Sequence, residues 1–269
     1  MKLFDIQNKV VVMTGATGVL GSTISTYLAE QGAKVVLLGR NTEKGQGLVA
    51  RIKENGGEAM FLATDVMNKE LLEQNLADVL AAYGTVDVLI NAAGGNMPGA
   101  TIPPDKTFFD LREEDMRQVI NLNLVGTMLP TQVFLRPMAE KGSGAVLNFT
   151  SMSAFRPLTR VAGYGVAKAG VSNFTAYMAT EVAHKFSPEI RVNAIAPGFF
   201  LTEQNRTLLT NADGSLTARG QDIIRQTPMH RMGEPNDLCG TVHYLISDAS
   251  RFVTGTVAVV DGGFNVFSI

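Results

Sequence analysis

The chain has 269 residues, of which 45% are hydrophobic and 18% charged, and its formal net charge at pH 7 is -2. This size and composition are typical of a globular protein with a large buried core, and they exclude a disordered chain. Because no cluster of Lys and Arg is present, the sequence offers no electrostatic surface for nucleic acid or anionic lipid, and neither is expected as a partner.

Cysteine and histidine usage exclude two further classes. The lone Cys239 cannot form an internal disulfide or build a cysteine-rich zinc site. His184, His230 and His243 lie far apart, without acids or cysteines at metal-ligand spacing, so we expect no metal. The first residues do not resemble a secretory signal, and no apolar run approaches the roughly 20 residues that span a bilayer. A cytoplasmic protein with no membrane segment is predicted.

Short apolar runs alternate with longer amphipathic stretches along the chain. The runs predicted as strands are 10–13, 35–38, 59–62, 88–90, 145–149, 192–195 and 257–260. The stretches predicted as helices are 20–31, 43–54, 69–83, 113–140, 165–185 and 236–247. This alternation predicts an α/β fold, a single Rossmann-type doubly wound parallel sheet of about seven strands with helices on both faces.

The chain contains no linker composition and no internal repeat, so residues 1–269 are predicted to form one domain. Two segments, 95–111 and 202–233, interrupt the alternation of strands and helices. Long connections inside a compact domain are more often functional than idle. These segments are therefore the candidate substrate loops.

The first predicted strand runs into a glycine-rich turn that opens a helix. Glycines let the backbone approach a pyrophosphate, whose charge the free N–H groups and the helix dipole stabilise. A tight structural turn is the alternative interpretation. The predicted dinucleotide ligands in this turn are Gly15, Thr17, Gly18, Val19, Leu20 and Gly21.

The end of the second predicted strand bears on the choice of cofactor. Gly39 occupies the position where an acid would accept hydrogen bonds from the ribose, and Arg40 follows it. A guanidinium suits a 2'-phosphate, so NADP is predicted, with NAD as the alternative if Arg40 is merely a solvated surface residue. Asp65 and Val66, after the third strand, are predicted to contact the adenine, although Asp65 could instead cap the helix that begins near Asn68.

Three polar side chains indicate acid–base chemistry. Tyr164 and Lys168 are four residues apart in a helical pattern, so their side chains share one face. A neighbouring ammonium favours the phenolate of a tyrosine, whose ordinary pKa is about 10. Ser151 follows a predicted strand at the edge where ligands of open α/β sheets bind, and its hydroxyl could donate to a substrate carbonyl.

These motifs resemble those of the short-chain dehydrogenase/reductase family over nearly the whole chain. Ser151 precedes Tyr164 by 13 residues, as is usual in that family, and Lys168 completes its Tyr-x-x-x-Lys motif. The resemblance implies that Asn123 completes a catalytic tetrad, kinking a helix and holding a water beside the lysine. One departure is that Val19 stands where the family usually has a middle glycine, which falls one place early at Gly18.

The resemblance also implies a cofactor site and an assembly. Besides the turn, Arg40, Tyr164 and Lys168, the implied cofactor ligands are Asn91, Ala92, Ala93, Gly94, Pro197, Gly198, Phe200 and Thr202. The implied assembly is a homodimer or homotetramer that forms through the helices near 121–140 and 165–185. The implied reaction is hydride transfer between a nicotinamide and a carbonyl or secondary alcohol.

Parts of the two loops resemble the branch of that family that interconverts D-fructuronate and D-mannonate. A small polar substrate, a sugar acid, is therefore expected, and its predicted ligands are Gly95, Asn96, Ser151, Arg156, Arg160, Gln204, Asn205 and Arg206. Amide groups suit hydroxyls and guanidinium groups suit a carboxylate. A 3-ketoacyl, steroid or other carbonyl reductase remains open, as does a non-catalytic dinucleotide sensor.

Overall fold

A parallel β-sheet forms the centre of the computed structural model, which describes residues 2–202 and 206–268. The strands are β1 (Val10–Thr14), β2 (Lys34–Gly39), β3 (Glu58–Ala63), β4 (Val88–Asn91), β5 (Gly144–Phe149), β6 (Ile190–Pro197) and β7 (Val257–Val260). They form one seven-stranded sheet in the order β3-β2-β1-β4-β5-β6-β7, and each neighbouring pair is parallel. The predicted doubly wound α/β fold is confirmed.

Helices cover both faces of this sheet. Their bounds are α1 (Val19–Glu30), α2 (Thr42–Glu54), α3 (Lys69–Tyr83), α4 (Glu113–Ile120), α5 (Gly126–Phe134), α6 (Arg136–Lys141), α7 (Ala162–Lys185), α8 (Arg206–Leu209), α9 (Ala218–Arg225) and α10 (Cys239–Ile246). None of the helices among the described residues is long and apolar enough to cross a membrane.

The two faces of the sheet bury separate clusters of apolar side chains. Val11 and Met13 of β1 pack with side chains of α1, α2 and α10, whereas Val10 and Val12 pack with those of α3, α5 and α7. Successive side chains of a strand point to opposite faces, so an uninterrupted apolar run can satisfy both layers. The edge strands differ, because β3 and β7 are only partly buried.

The carboxyl ends of the central strands define where a ligand can bind. The strand order reverses direction between β1 and β4, and the loops that follow these two strands diverge there. In open α/β sheets this topological switch point is where ligands bind. The last residues of β1 and β4, Thr14 and Asn91, are in register, and both are buried and polar.

The prediction of one continuous helix over 113–140 is wrong. The structure divides it into α4, a π-helical segment at Asn121–Val125, α5 and α6. The Asn123 side chain donates to the Val119 carbonyl oxygen at 2.8 Å, inside the helical ladder. A side chain that enters the ladder and a proline, here Pro130 within α5, are both recognised causes of helix distortion.

The segment 202–233 also carries more structure than a loop. Its described part contains α8 and α9, joined by a turn that an isolated bridge between Thr210 and Leu216 closes. Thr217 caps α9 by accepting a hydrogen bond from the Gly220 N–H. The helices are too short for a hydrophobic period to reveal them in the sequence.

A buried arginine fastens β6 to the end of α10. The Arg191 guanidinium donates to the carbonyl oxygens of Leu245 and Ser247 at 2.9 and 3.1 Å, and to the Ser250 hydroxyl at 2.8 Å. Arg191 is 8% exposed. The carbonyl oxygens at a helix C-terminus have no partner within the helix, and the guanidinium provides one. A positive charge is also favoured there by the helix dipole.

We expect Arg191→Met to lower the free energy of unfolding by about 2–4 kcal/mol, because three buried acceptors lose a charged donor. Urea unfolding at fixed protein concentration measures the change. Arg51→Met, at an exposed position of α2, is the matched control and should change stability by less than about 0.5 kcal/mol. Equal effects of the two substitutions would contradict the role of Arg191.

Candidate active site

The structure brings the four predicted catalytic residues to one cavity of about 690 Å³ at the carboxyl ends of the central strands. Ser151 follows β5, Asn123 lies in the π-helical segment, and Tyr164 and Lys168 lie on α7. Residues so distant in the sequence meet because α7 packs against both the π-helical segment and the turn that follows β5. The observed α7 begins at Ala162, three residues before the predicted start, so Tyr164 belongs to its first turn.

Lys168 is a buried cation with a single hydrogen-bond partner among the described residues. Its Nζ donates to the carbonyl oxygen of Phe149 at 2.8 Å and lies 5.6 Å from the centre of the Tyr164 ring. Burial lowers the pKa of Lys168 to about 8. The ammonium is therefore still the main form at neutral pH, but it releases its proton far more readily than a solvated lysine does.

Tyr164 is half-buried above that ammonium. Burial raises the pKa of its phenol, and the hydrogen bond with the Ser151 side chain acts in the opposite direction. The phenol is therefore protonated at neutral pH and able to donate. The positive charge of Lys168 stabilises the phenolate that donation leaves behind. Tyr164 and Ser151 together can hold one oxygen atom of a substrate between two hydroxyl groups.

Asn123 joins the loop after β4 to the helical layer. Its Nδ2 donates to the Gly95 carbonyl oxygen at 2.7 Å, and its Oδ1 accepts from the Gly95 N–H at 3.2 Å. A Cβ on Gly94 would lie 2.6 Å from the Asn123 Oδ1 and 3.3 Å from the Lys168 Nζ. Only glycine fits at position 94, and the three residues converge at this point.

A ladder of buried polar groups supports the site from below. Thr14 Oγ1 accepts from the N–H groups of Ala92 and Ala93, both at 3.1 Å. Asn91 Nδ2 donates to Asn148 Oδ1 at 2.9 Å, whereas the buried Asn91 Oδ1 has no partner among the described residues. Buried oxygens are normally hydrogen-bonded, so the Asn91 Oδ1 is an exception within this ladder.

The glycine-rich turn needs glycine at its two outer positions and not at its middle one. Gly15 has a φ of +67°, and a Cβ there would lie 2.6 Å from the Ala92 carbonyl oxygen. A Cβ on Gly21 would overlap the Gly15 carbonyl oxygen. A Cβ on Gly18 would meet only that same oxygen, at an ordinary 3.4 Å. Position 18 therefore does not require glycine, and Val19 is not among the residues with a positive φ.

The turn ends at an uncapped helix N-terminus. Gly18 precedes α1 and provides no side chain, so the N–H groups of Val19, Leu20 and Gly21 lack a capping partner. Such a terminus binds anions through its N–H groups and its dipole. Thr17 and Leu20 border this end of the site, and Leu20 also lines the cavity. The turn therefore fits the pyrophosphate of a dinucleotide.

The end of β2 has no room for a side chain at position 39. A Cβ on Gly39 would lie 2.9 Å from the Thr17 Oγ1, so an acidic side chain at position 39 would displace Thr17. Arg40 is exposed beside it. Asp65 is also exposed, and its Oδ1 accepts from the Met67 N–H at 2.9 Å.

The residues after β3 exclude one of the two interpretations of Asp65. Asn68, not Asp65, caps α3, since its side chain accepts from the Leu71 N–H at 3.0 Å. The interpretation of Asp65 as the helix cap is therefore wrong. Val66 is buried, and a Cβ on Gly126 would lie 2.9 Å from its Cγ2, so Val66 packs against α5.

The segment after β6 forms a second wall of the cavity. Gly198 has no room for a side chain, because a Cβ would lie 2.5 Å from the Cβ of Asp261. Phe200 is buried. The predicted cofactor ligands from this segment that line the cavity are Pro197, Gly198, Phe200 and Thr202, and those from the loop after β4 are Ala92 and Gly94.

The predicted substrate ligands separate into three groups. Gly95, Asn96, Ser151 and Arg160 line the cavity. Gln204 and Asn205 lie outside the described residues. Arg156 and Arg206 do not line the cavity.

The structure gives a physical reason for the placement of the two arginines outside the cavity. The Arg156 guanidinium donates to the Phe264 carbonyl oxygen at 2.9 Å and lies over the Phe264 ring, which ties it to the end of the chain. Arg206 begins α8 and is exposed. The expectation that either contacts the substrate is not supported by this geometry.

Arg219, which enters the cavity from α9, is a site residue that was not predicted from the sequence. A signal was available, because a positive charge in the first turn of a helix is disfavoured by the helix dipole and needs another reason to be there. Asp and Glu are absent among the described residues that line the cavity. Nor do the described residues contain three clustered His, Cys, Asp or Glu side chains that could hold a metal ion.

Comparison with known proteins places this geometry in context. Residues 15–265 match the family described as enoyl-(acyl carrier protein) reductase. The uncharacterized oxidoreductase UxuB of Bacillus subtilis is 44% identical over 98% of this chain and 97% of its own length.

Two crystal structures extend the comparison. A candidate D-mannonate oxidoreductase from Haemophilus influenzae with bound NAD has a TM-score of 0.91 and 40% identity, covering 98% of this chain and 97% of that one. A gluconate 5-dehydrogenase from Burkholderia cenocepacia J2315, in complex with NADP and tartrate, has a TM-score of 0.87 and 30% identity, covering 99% of each chain.

We expect the buried lysine to make stability depend on pH. The folded pKa of Lys168, about 8, lies below its ordinary value of 10.5, so between these values the unfolded chain binds more protons and stability rises with pH. Relative to Lys168→Met, the wild type should gain about 2–3 kcal/mol of unfolding free energy across that interval. Urea unfolding at several pH values measures it. Lys53→Met, at an exposed position, should show no such relative gain.

Proposed function

The chain is an NAD(P)-dependent oxidoreductase that belongs to the short-chain dehydrogenase/reductase family, and we propose that it interconverts a ketone and a secondary alcohol on a sugar acid. The observation that carries the proposed chemistry is the stacking of Tyr164 over the buried Lys168 ammonium, beside Ser151 and in one cavity with Asn123. A set of four polar groups around one cavity is hard to explain as packing, because burying each of them costs stability.

The residues that would hold the cofactor follow from the fit of the site. The glycine turn and the uncapped start of α1 would bind the pyrophosphate, and Asn91, Gly94 and the 197–202 segment would enclose the nicotinamide half. When bound, the nicotinamide supplies or accepts the hydride. Tyr164 and Lys168 border the same space, so a reacting carbon between them and the cofactor would be shielded from water.

The chain's own residues would manage the proton. In the reducing direction Ser151 donates a hydrogen bond to the ketone oxygen, and the Tyr164 phenol transfers its proton to that oxygen as it becomes a hydroxyl. Lys168 stabilises the phenolate by its charge, while its hydrogen bond to the Phe149 carbonyl fixes its position. Asn123 would hold the Gly95 loop in place and anchor a water through which Tyr164 regains a proton.

The polar lining of the cavity supports a hydroxylated substrate. Asn96 donates from Nδ2 to the Thr101 hydroxyl at 2.9 Å, and its buried Oδ1 has no partner among the described residues. An unpaired buried acceptor costs free energy that a substrate hydroxyl would recover. Relatives named for D-mannonate and gluconate agree with this proposal, and D-fructuronate and D-mannonate are the proposed pair. Segments 95–111 and 202–233 would supply the substrate loops.

We expect the wild type to reduce D-fructuronate with at least about tenfold higher kcat/KM than D-fructose or an acetoacetyl ester, because only the sugar acid matches both the polar lining and the positive charge. Absorbance of the reduced nicotinamide follows each reaction.

In a single-turnover experiment, Tyr164→Phe should slow reduction by about 10² to 10⁴-fold while retaining cofactor binding.

The outcomes separate three functions. Preference for the ester would indicate a ketoacyl-type reductase and reject the sugar acid. Less than tenfold loss in Tyr164→Phe would remove Tyr164 as the proton carrier. Cofactor binding without turnover of any substrate class would favour a dinucleotide sensor.

We further propose a preference for NADP over NAD, based on Arg40 at the end of β2. Arg40→Ala should lower kcat/KM for NADPH by about 10-fold or more and leave that for NADH within about twofold, because a 2'-phosphate loses a charged hydrogen-bond donor. Steady-state rates with both cofactors test this. Equal NADPH efficiency in variant and wild type would make NAD the cofactor of choice.

A further inference from the structure

Two arginines that form no ion pair with a described residue line the part of the cavity beside the 95–111 segment and the described part of the 202–233 segment. Arg160 lies in the segment between β5 and α7, and Arg219 projects from α9. The Arg219 Nε is buried and makes no hydrogen bond with a described residue. Among the described residues, its guanidinium makes one long hydrogen bond, from Nη1 to the Thr159 hydroxyl at 3.3 Å. No hydrogen bond or ion pair of the described residues engages the Arg160 guanidinium.

The two guanidinium groups are close enough to repel each other. Burial lowers the pKa of Arg219, the charge of Arg160 lowers it further, and Asp222 acts in the opposite direction. Asp222 does not pair with Arg219, although it lies three residues along α9, because it forms an ion pair with Arg225 at 2.5 Å. Like charges that are half-buried without an acid cost stability, so a bound anion would relieve the arrangement.

The backbone holds both arginines in this unfavourable position. Arg160 has a φ of +77°, a conformation that residues other than glycine rarely adopt. Its carbonyl oxygen accepts from the Ile102 N–H at 3.0 Å, which fixes it to the 95–111 segment. Thr217, the cap of α9, donates from its hydroxyl to the Leu208 carbonyl oxygen at 2.8 Å and so fixes the start of the helix that carries Arg219.

We propose that Arg160 and Arg219 form a carboxylate clamp, which binds the acid end of the substrate while Tyr164 and Ser151 hold its ketone. This assignment rests on the proposed function for the ketone end, and it names the substrate class as a hydroxy acid whose carboxylate lies away from the reacting carbon. A planar guanidinium pairs with a carboxylate through two parallel hydrogen bonds, and the unpaired Nε of Arg219 supplies one such donor.

The clamp also explains why the cavity combines apolar walls with two arginines. Met97, Leu158 and Leu208 border the cavity together with the two arginines. Apolar surroundings strengthen a charge pair because they lower the local dielectric constant. A neutral ketose would leave both guanidinium groups unsatisfied, so the clamp would select against it as well as for the acid.

The test compares ligands that differ only at one end. D-mannonate has a carboxylate where D-mannitol has a hydroxymethyl group. Calorimetry measures the binding of each to the protein with NADPH bound. Neither ligand can react there, because an alcohol cannot accept a hydride from the reduced cofactor. We expect Arg219→Met and Arg160→Met each to weaken D-mannonate binding by about 10- to 100-fold and to leave D-mannitol binding within about twofold. Arg219→Lys should restore part of the affinity.

A structural role for Arg219 predicts a different result. If the residue stabilised the fold, Arg219→Met would lower the melting temperature. The clamp predicts an unchanged or higher value, because the substitution removes a repulsive pair. Arg117→Met, at an exposed position of α4, is the matched control and should leave both binding and melting unchanged.

Other outcomes would overturn the clamp without involving the proposed reaction. Equal binding of D-mannonate to the wild type and both variants would reject it even if D-fructuronate is reduced, as would loss of binding in Arg156→Met or Arg206→Met alone. Tighter binding of D-fructose 6-phosphate than of D-mannonate would place a phosphate there. Conversely, binding of D-mannonate that depends on Arg219, without turnover of D-fructuronate, would support the clamp and reject the reaction.

Discussion

The burial of one ammonium group is the constraint around which the site is arranged. Lys168 is 3% exposed and receives only the Phe149 carbonyl as a hydrogen-bond acceptor among the described residues. Removing a charge from water without a counter-ion is costly, and the surrounding fold must supply that stability. Part of it comes from the apolar layer in which α7 packs against β5 and β6.

Several neighbouring features follow from that burial. Gly94 has no side chain because the Lys168 and Asn123 polar atoms occupy the space, and the Asn123 side chain that borders it also distorts the helical layer. Burial raises the pKa of Tyr164 and its hydrogen bond with Ser151 lowers it, and the nearby lysine charge favours the phenolate once the proton has left. Acid–base chemistry, the loop after β4 and the interruption of the helix are thus consequences of one arrangement.

The sequence was sufficient for the sheet and for the four residues of the central cluster. Each strand is an apolar run bounded by turn residues, and the family spacing places Ser151, Tyr164 and Lys168 together. The substrate end was predicted less well, since Arg156 lies against Phe264 and Arg219 was overlooked. Contacts of long side chains across distant segments depend on loop conformation, which local periodicity does not encode.

The glycine turn shows how a sequence signature and a steric requirement can differ. Two of its glycines are enforced by backbone atoms that lie too near for any side chain, whereas a Cβ on Gly18 would make only an ordinary contact of 3.4 Å. Related chains are therefore free to move or replace the middle glycine without altering how the turn is built. A search pattern that requires glycine at that place would discard sound members of the family, and one that keeps the outer pair and the strand before it would retain them.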